Sequence, residues 1–451
     1  MTSVLYSGAT PQKITKDIQP LLNFQEDGLP LKELQTLVET RLIPHLMQYD
    51  TPEFQSMFNT KLESGAELGA YIALQYNQGV TNWQVSPGGV VLEEVLCKKL
   101  CELFGFPSTA DATFMYSGTY ANQEAVYLAL HWKAEQEGFD LAEKGLTGFK
   151  NPEDLALVTS CDAHFSVKHA VRMLGLGDAS IVTVGVDKNR RMDINELKNT
   201  VNNSNKNIFC IMVTTGTTST GSVDPVLPVV DICEDIKAWL HVDGAYGLAY
   251  KLVPEWSSLF KGVEKADSVC WDPHKQMSVP IPNSVLFVRR KQDFYRMSVY
   301  SSYFNREEDT EPNPGLKSPP STRPFSALPL VTSLRHQGMN NLIKRLKAPL
   351  QAIKTTADTL QGHPDIEVCH TPDTGILCFR VTPQGVPEEK LDQVQQVVYN
   401  EIMAKGNRTI SVTTLDGSNV LRLVAISPVV THDALLETVH IAERIAKRFE
   451  G

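Results

Sequence analysis

Apolar positions along the chain follow two spacings, and the way these alternate predicts the fold. Between residues 112 and 290, short apolar runs stopped by turn residues, typical of buried strands, alternate with stretches at helical spacing. The predicted strands are 112–117, 155–160, 180–186, 208–215, 238–242, 267–271 and 284–290. The predicted helices begin at 119, 165, 193 and 226. Such alternation predicts an α/β fold with a mostly parallel sheet covered by helices on both faces.

The segment before this block has a different pattern. Residues 1–80 lean towards helix but show no core of their own, so we predict an N-terminal helical extension that packs across a dimer. Residues 90–104 follow helical spacing more strictly. Their predicted core stripe consists of Val91, Leu92, Val95, Leu96, Leu100 and Leu103.

The segment after the block predicts a second, smaller unit. An amphipathic helix begins near residue 326, and strands are predicted at 376–381 and 420–425. We therefore expect a small C-terminal αβ domain. The predicted domains are an extension at 1–80, a large domain at 81–325 and a small domain at 326–451.

Charge and composition narrow the possible partners. The net charge of −10 disfavours nucleic acid and anionic membrane surfaces as partners. No apolar run approaches the roughly 18 residues of a membrane span, and the N-terminus lacks the pattern of a secretory signal. Eight cysteines are scattered along the chain, and Cys97 and Cys101 fit core thiols better than metal ligands. These features predict a cytoplasmic protein without a bound metal.

Two predicted strands end in groups that suit one cofactor. Asp243 directly follows the strand 238–242, and Lys275 follows the strand 267–271. Ligands of open α/β sheets bind at the carboxyl ends of the strands, so we expect the two groups to face one crevice. There an amine can form a Schiff base with pyridoxal phosphate while a carboxylate keeps the ring nitrogen protonated. By itself, however, Asp-Pro-His-Lys is also typical of a solvated turn.

Other polar groups follow the remaining predicted strands. Ser117, Gly118 and Thr119 open a predicted helix whose free amides suit a phosphate group, although ordinary strand-to-helix turns look the same. His164 follows the strand 155–160 and is placed to stack on a planar ring, whereas many single histidines are purely structural. Thr218 lies in a threonine-rich turn, which is a common feature.

The order of these motifs resembles the group II pyridoxal-phosphate amino-acid decarboxylases, the family of aromatic-amino-acid, glutamate and sulfinoalanine decarboxylases. The resemblance covers roughly residues 80–440. It is carried by Ser117-Gly-Thr119…Ala121-Asn122, Asp162-Ala-His164, Gly216-Thr-Thr218, His241-Val-Asp243-Gly-Ala245 and Asp272-Pro-His274-Lys275. It implies a fold-type-I architecture and a homodimer whose active sites take residues from both subunits.

The resemblance also implies roles for individual residues. Lys275 matches the Schiff-base lysine, Asp243 the partner of the ring nitrogen and His164 the stacking histidine. Thr218 and Ala245 match positions around the ring, and His274 matches a histidine close to phosphate and substrate. The phosphate turn departs from the usual Ser-Gly-Gly-Thr-Glu-Ala-Asn, since this chain has Tyr116-Ser-Gly-Thr-Tyr-Ala-Asn122.

A charged, proline-bearing segment at 305–322 predicts a long mobile loop or surface excursion. By resemblance, Tyr303 beside it matches the tyrosine that protonates the substrate carbanion, and Arg323 matches an arginine at the loop's end. Trp83 and Arg422 match substrate-contacting positions, although an arginine in a strand equally fits a surface ion pair.

The sequence as a whole thus predicts α-decarboxylation of an L-amino acid. Another fold-type-I enzyme, such as a carbon–carbon lyase or an aminotransferase, and a non-catalytic scaffold remain the alternatives.

Overall fold

The computed structural model describes residues 5–24, 26–302 and 305–449. The helices are α1 Pro11–Ile18, α2 Leu31–Arg41, α3 Ser64–Tyr76, α4 Pro87–Phe104, α5 Gly118–Gln136, α6 Leu141–Lys144, α7 Ser166–Met173, α8 Ile194–Asn203, α9 Val226–Ile236, α10 Ala327–Leu360, α11 Glu388–Ala404 and α12 His432–Ala446. The strands are β1 Asp111–Met115, β2 Leu155–Ser160, β3 Ile181–Val184, β4 Asn207–Thr214, β5 Trp239–Asp243, β6 Ser268–Trp271, β7 Ser284–Val288, β8 Ile366–Val368, β9 Ile376–Val381, β10 Ser411–Leu415 and β11 Ser418–Val424.

A seven-stranded sheet forms the centre of the larger part of the chain, with the strand order β1-β7-β6-β5-β4-β2-β3. Strands β3, β2, β4, β5 and β6 pair in parallel, each with its neighbour. Strand β7 is antiparallel to both β6 and β1. The predicted mostly parallel sheet is confirmed, and its carboxyl edge is where the polar strand-end groups gather.

Burial explains why these segments form central strands. All residues of β2, β5, β6 and β7 are buried, as expected of strands covered on both faces. Helix α5 packs against several of these strands, and its alanines, among them Ala121, Ala125 and Ala129, are fully buried. Small side chains on this helix therefore let its backbone approach the sheet closely.

A second sheet of four strands is antiparallel throughout, with the order β10-β11-β9-β8. It belongs to a compact unit made of residues 1–61, 348–371 and 375–451, while residues 62–347 and 372–374 form the other unit. These limits differ from the predicted domain limits at residues 80 and 326. The difference has a physical cause in the smaller unit, where Phe54 pairs with Thr409 and the amide of Leu5 donates to the carbonyl of Gly406 over 2.9 Å.

Helix α4 ends at Phe104 as predicted but begins at Pro87, three residues before the predicted start, and the predicted core stripe is wrong in part. Val91 and Val95 are exposed by 39% and 52%, and the helix buries Val90, Cys97 and Glu93 instead. A buried glutamate cannot be recognised from apolar spacing alone. Its position depends on a partner that is distant in sequence.

Arg323 is that partner, and its ion pair corrects the prediction of a surface excursion. Arg323 is buried and its guanidinium pairs with Glu93. Nearby, Lys317 Nζ lies 2.8 Å from Glu94 and 2.7 Å from Asp111. Burial alone would lower the pKa of Lys317, but these two carboxylates raise it above its usual value. The end of the predicted loop is therefore anchored in the larger unit.

Among the described residues, none of the helices combines the length and the apolar character that a membrane crossing requires.

Candidate active site

Lys275 and Asp243 lie at the carboxyl ends of neighbouring strands. β5 ends at Asp243, which is in register with Cys270 of the parallel strand β6. The chain turns directly after β6, and the amide of Lys275 donates to the carbonyl of Asp272 over 3.0 Å. The Lys275 Nζ lies 3.1 Å from Asp272 Oδ2. The structure thus brings a primary amine and a buried carboxylate to one edge of the sheet.

The carboxylate of Asp243 is buried and surrounded by hydrogen-bond donors. Asn122 Nδ2 donates to its Oδ2 over 2.8 Å, and its Oδ1 accepts from the amide of Ala245 at 3.1 Å and from the Cys270 thiol at 3.2 Å. Burial alone would raise the pKa of Asp243, but His164 when it is protonated at acidic pH, the charge of Lys275 and the bond from Asn122 hold it below its usual value. Asp243 is therefore ionised at neutral pH.

A directed chain of buried hydrogen bonds fixes the Asn122 amide. Because an ionised carboxylate only accepts, the Nδ2 of Asn122 faces Asp243, and its Oδ1 accepts from Nε2 of His241 at 2.9 Å. The Nδ1 of His241 then accepts from the Ser268 hydroxyl at 2.8 Å, and that hydroxyl accepts from Trp239 Nε1 at 2.8 Å. Burial lowers the pKa of His241 to about 4, so its imidazole is neutral. The whole chain of donors thus points towards Asp243.

Two further histidines, His164 and His274, lie near the charged groups of the site. Burial lowers the pKa of His164, against the opposing effect of Asp243, so its ring is neutral at pH 7 and suited to stacking. Burial also lowers the pKa of His274. The Nδ1 of His274 donates to the carbonyl of Asn283 over 2.7 Å, which leaves a lone pair on its Nε2.

The start of α5 forms a narrow cradle beside the lysine turn. Ser117 caps the helix, with its Oγ accepting from the amide of Tyr120 over 3.3 Å, and Thr119 is half-buried in the first turn. A Cβ atom at Gly118 would lie only 2.9 Å from Asp272 Oδ2, so a larger residue would not fit without movement. The first amides of a helix lack acceptors within the helix, so this N-terminus is suited to an anion.

Thr218 and Ala245 follow β4 and β5 at the same sheet edge. Thr218 is half-buried and adjoins the buried Thr217, whose Oγ1 lies 2.8 Å from Thr220 Oγ1. A Cβ atom at Gly118 would lie 3.2 Å from the Cβ of Ala245, so Ala245 packs against the start of α5. An amine, an ionised carboxylate and a helix N-terminus gathered in this way fit the aldehyde, ring nitrogen and phosphate of pyridoxal 5'-phosphate.

Comparisons with known proteins agree with this chemistry. The conserved domain of pyridoxal-dependent decarboxylases matches residues 12–382. The chain belongs to the pyridoxal-dependent decarboxylase family.

Relatives of this decarboxylase have related activities. An L-2,4-diaminobutyrate decarboxylase from Acinetobacter baumannii is 27% identical over 98% of this chain and 89% of that protein. The human acidic amino acid decarboxylase GADL1 is 28% identical over 91% of this chain and 81% of that protein. The crystal structure of mouse CSAD has the same fold, with a TM-score of 0.90, 24% identity and coverage of 99% of this chain and 94% of that one. The chain is a pyridoxal-phosphate-dependent amino-acid decarboxylase of fold type I, as predicted, and the alternatives are not favoured.

Three predicted site residues of the decarboxylase remain to be described, namely Trp83, Arg422 and Tyr303. Trp83 is 43% exposed in the segment before α4. Arg422 belongs to β11 of the smaller unit, where it is buried, donates to Ser411 Oγ over 2.9 Å and stacks over the ring of Phe58 at 5.3 Å. Tyr303 lies outside the described residues.

Sequence reasoning quoted Asn122, His241 and Asp272 within motifs but gave them no role. His241 had a detectable signal, since it precedes Asp243 by two residues in one strand and so shares its face. Asn122 is on α5, and nothing in its own surroundings in the sequence indicates that it contacts β5. Asp272 is the ion-pair partner of Lys275, three residues before it in the same turn.

Proposed function

We propose that this decarboxylase binds its cofactor through Lys275 and that Asp243 holds the proton on the cofactor's ring nitrogen. The observation that carries the proposal is the buried, ionised Asp243, which accepts from Asn122 Nδ2 at 2.8 Å on the strand next to the Lys275 turn. The reaction is α-decarboxylation of an L-amino acid to an amine and CO₂.

When bound, pyridoxal phosphate supplies an electron-deficient ring that takes up the electron pair left at Cα as CO₂ departs. Asp243 sustains that property because it stays ionised and pairs with a protonated ring nitrogen. His164 presents a neutral ring for stacking. His274 holds a lone pair on Nε2, so it can accept and return a proton near the reacting carbon.

The remaining contacts are proposed from position. Ser117, Gly118 and Thr119 at the start of α5 bind the phosphate, mainly through backbone amides. Thr218 and Ala245 line the ring. Trp83 and Arg422 contact the substrate, with the arginine taking a carboxylate group.

A substrate panel tests the activity directly. Purified holoenzyme is incubated with each of the twenty common L-amino acids and with L-2,4-diaminobutyrate, and both CO₂ and product are quantified. The proposal requires at least one substrate to yield one amine per CO₂. An oxo acid formed without CO₂ would indicate an aminotransferase and contradict it.

We further propose Tyr303 as the proton donor to Cα, on the family resemblance alone. Removing only its hydroxyl in Tyr303→Phe should leave CO₂ release near normal while the electron-rich carbon waits for a proton and reacts with oxygen. Part of the product should therefore shift from amine to aldehyde, ammonia and peroxide. Amine, aldehyde and peroxide are measured per CO₂, and unchanged amine yield and rate would transfer the role to another donor, with His274 next.

The working form is proposed to be a homodimer. Large apolar side chains are exposed in both units, including Phe24 at 90%, Leu31 at 81% and, on α3, Tyr71 at 65% and Leu74 at 78%. Tyr71 and Leu74 are three residues apart on α3 and so share a face, and an exposed apolar helix face supports an interface with a second chain. Light scattering should return twice the 50.0 kDa chain mass for the active fraction. Leu74→Glu should lower that mass, and an active fraction of single chains would refute the dimer.

We also place the enzyme in the cytoplasm. The eight cysteines support this, because all of them are reduced thiols and such usage is typical of a reducing compartment. Cell fractionation checks the location. Recovery of the active enzyme from a secreted or membrane fraction would contradict it.

A further inference from the structure

A cavity of about 860 Å³ lies in the larger unit, along a face of α5 that none of the proposed cofactor contacts uses. Its volume falls in the range of small-molecule sites. Tyr120, Gln123, Glu124 and Tyr127 share this face because they are three or four residues apart on the helix. The rest of the wall is largely apolar and includes Phe114, Met115, Met297, Pro319 and Pro320.

The two arginines that line the cavity are already neutralised by other groups. Arg296 donates to Glu135 over 2.6 and 2.7 Å and also pairs with Asp293. Arg323 pairs with Glu93. The cavity therefore offers no uncompensated positive charge from these residues.

Glu124 is in the opposite situation. Its side chain lines the cavity and is only 4% exposed, and neither carboxyl oxygen has a hydrogen-bond partner among the described residues. Burial raises the pKa of Glu124 well above its usual value, and only the charge of Arg323 opposes this. A buried carboxyl without a partner is costly, so it marks a place where a donor or a positive charge would be favourable.

We propose that this cavity is a binding site for an organic ammonium ion with an apolar or aromatic body, with Glu124 as its counter-ion. The tyrosine rings of the wall attract cations through their π faces, and the apolar side chains cover the ligand's body. A small ammonium is favoured over an anion because both arginines are taken. The site is separate from the residues proposed for cofactor binding and does not depend on their roles.

Ligand binding at this site should be coupled to the protonation of Glu124. The empty site keeps Glu124 protonated, whereas a bound ammonium favours the carboxylate. Binding should therefore release up to one proton and strengthen as the pH rises. The same argument predicts that Glu124→Gln folds well, because the unfolded chain ionises Glu124 at neutral pH while the folded chain must keep it neutral, a cost that the amide does not carry.

The probe is N,N-dimethylphenethylamine, a tertiary amine that cannot form a Schiff base with an aldehyde cofactor. Binding is measured by titration calorimetry on the holoenzyme as purified, whatever its oligomeric state. It should give one saturable site per chain. Repeating the titration in two buffers of different ionisation enthalpy should show that protons are released on binding. Glu124→Gln should weaken binding at least roughly tenfold and abolish the release. Glu102→Gln, the same substitution at an exposed position on α4, should alter neither.

Two ligands of similar body separate charge from shape. 2-Phenylethanol should bind weakly and equally to the wild type and to Glu124→Gln, and 3-phenylpropionate should not bind. The proposal is overturned if the wild type shows no saturable binding, if the propionate binds more tightly than the amine, or if Glu124→Gln binds the amine unchanged. It is equally overturned if a second copy of the chain fills the cavity. In that case a variant that cannot dimerise would bind the probe and the dimer would not.

Discussion

Replacing Lys275 by alanine should abolish turnover, a loss of at least roughly 10⁴-fold or about 5 kcal/mol in activation free energy. The variant should also lose the visible absorbance of lysine-linked cofactor. The physical reason is that the Lys275 amine is the proposed covalent anchor at the sheet edge, 3.1 Å from the carboxylate of Asp272. Absorbance spectra and CO₂ release measure the two effects separately.

Lys275→Arg is the matched control for charge. The guanidinium can keep the ion pair with Asp272 but cannot form the covalent link, so both variants should be inactive while only alanine leaves Asp272 without its cation. Borohydride reduction of the wild-type holoenzyme followed by peptide mass spectrometry should place the cofactor on Lys275. Lys317 is an unsuitable anchor because Glu94 and Asp111 hold its amine protonated. A cofactor adduct on any lysine other than Lys275 would refute the assignment.

The strand ends of the site could be predicted because they depend on local patterns. The apolar runs at 238–242 and 267–271 are short and stop at turn residues, and parallel strands bring their carboxyl ends to one edge. Even the antiparallel direction of β7 had a signal that sequence reasoning did not use. Residues 272–283 contain no helical pattern, and a parallel connection normally needs a crossover helix.

Long-range polar pairs could not be predicted in the same way. Glu93 is buried because Arg323, 230 residues later, neutralises it, and apolar spacing carries no information on such a partner. The prediction that Val91 and Val95 belong to the core was wrong because apolar spacing does not say what an apolar face packs against. A stripe of apolar residues fits an intersubunit face as well as a core, and these two side chains are exposed in the single chain.

The residues that hydrogen-bond to Asp243, directly or through one another, include one that the sequence pattern implies and one that it does not. His241 shares a strand face with Asp243, which the alternation of the strand implies. The contact of Asn122 with both residues requires that α5 cross the sheet at that point, 119 and 121 residues away along the chain from His241 and Asp243. Sequence therefore predicted the carboxylate but not the donors that keep it ionised.

Asp243→Asn should retain the fold and bind cofactor but lose roughly 10²–10⁴-fold in turnover, about 3–5 kcal/mol. A neutral amide cannot hold a proton on the ring nitrogen, so the electron pair left at Cα has no sink of comparable strength. The pKa of Asp243 lies below its usual value, so in the wild type the carboxylate stays ionised as the pH falls towards that range. The wild type should therefore show no activity loss from this group in mildly acidic buffer.

Two further measurements separate the charge of Asp243 from its place in the hydrogen-bond chain. Asp243→Glu keeps the charge but displaces it, and should recover part of the lost turnover. Asn122→Ala keeps the carboxylate but removes the 2.8 Å donor, so it should raise the pKa of Asp243 and move the acid limb of the rate profile to higher pH. Both effects are measured as pH profiles of CO₂ release at saturating substrate. Near-wild-type turnover in Asp243→Asn would contradict the proposal, since it would show that the protonated ring nitrogen does not depend on the Asp243 carboxylate.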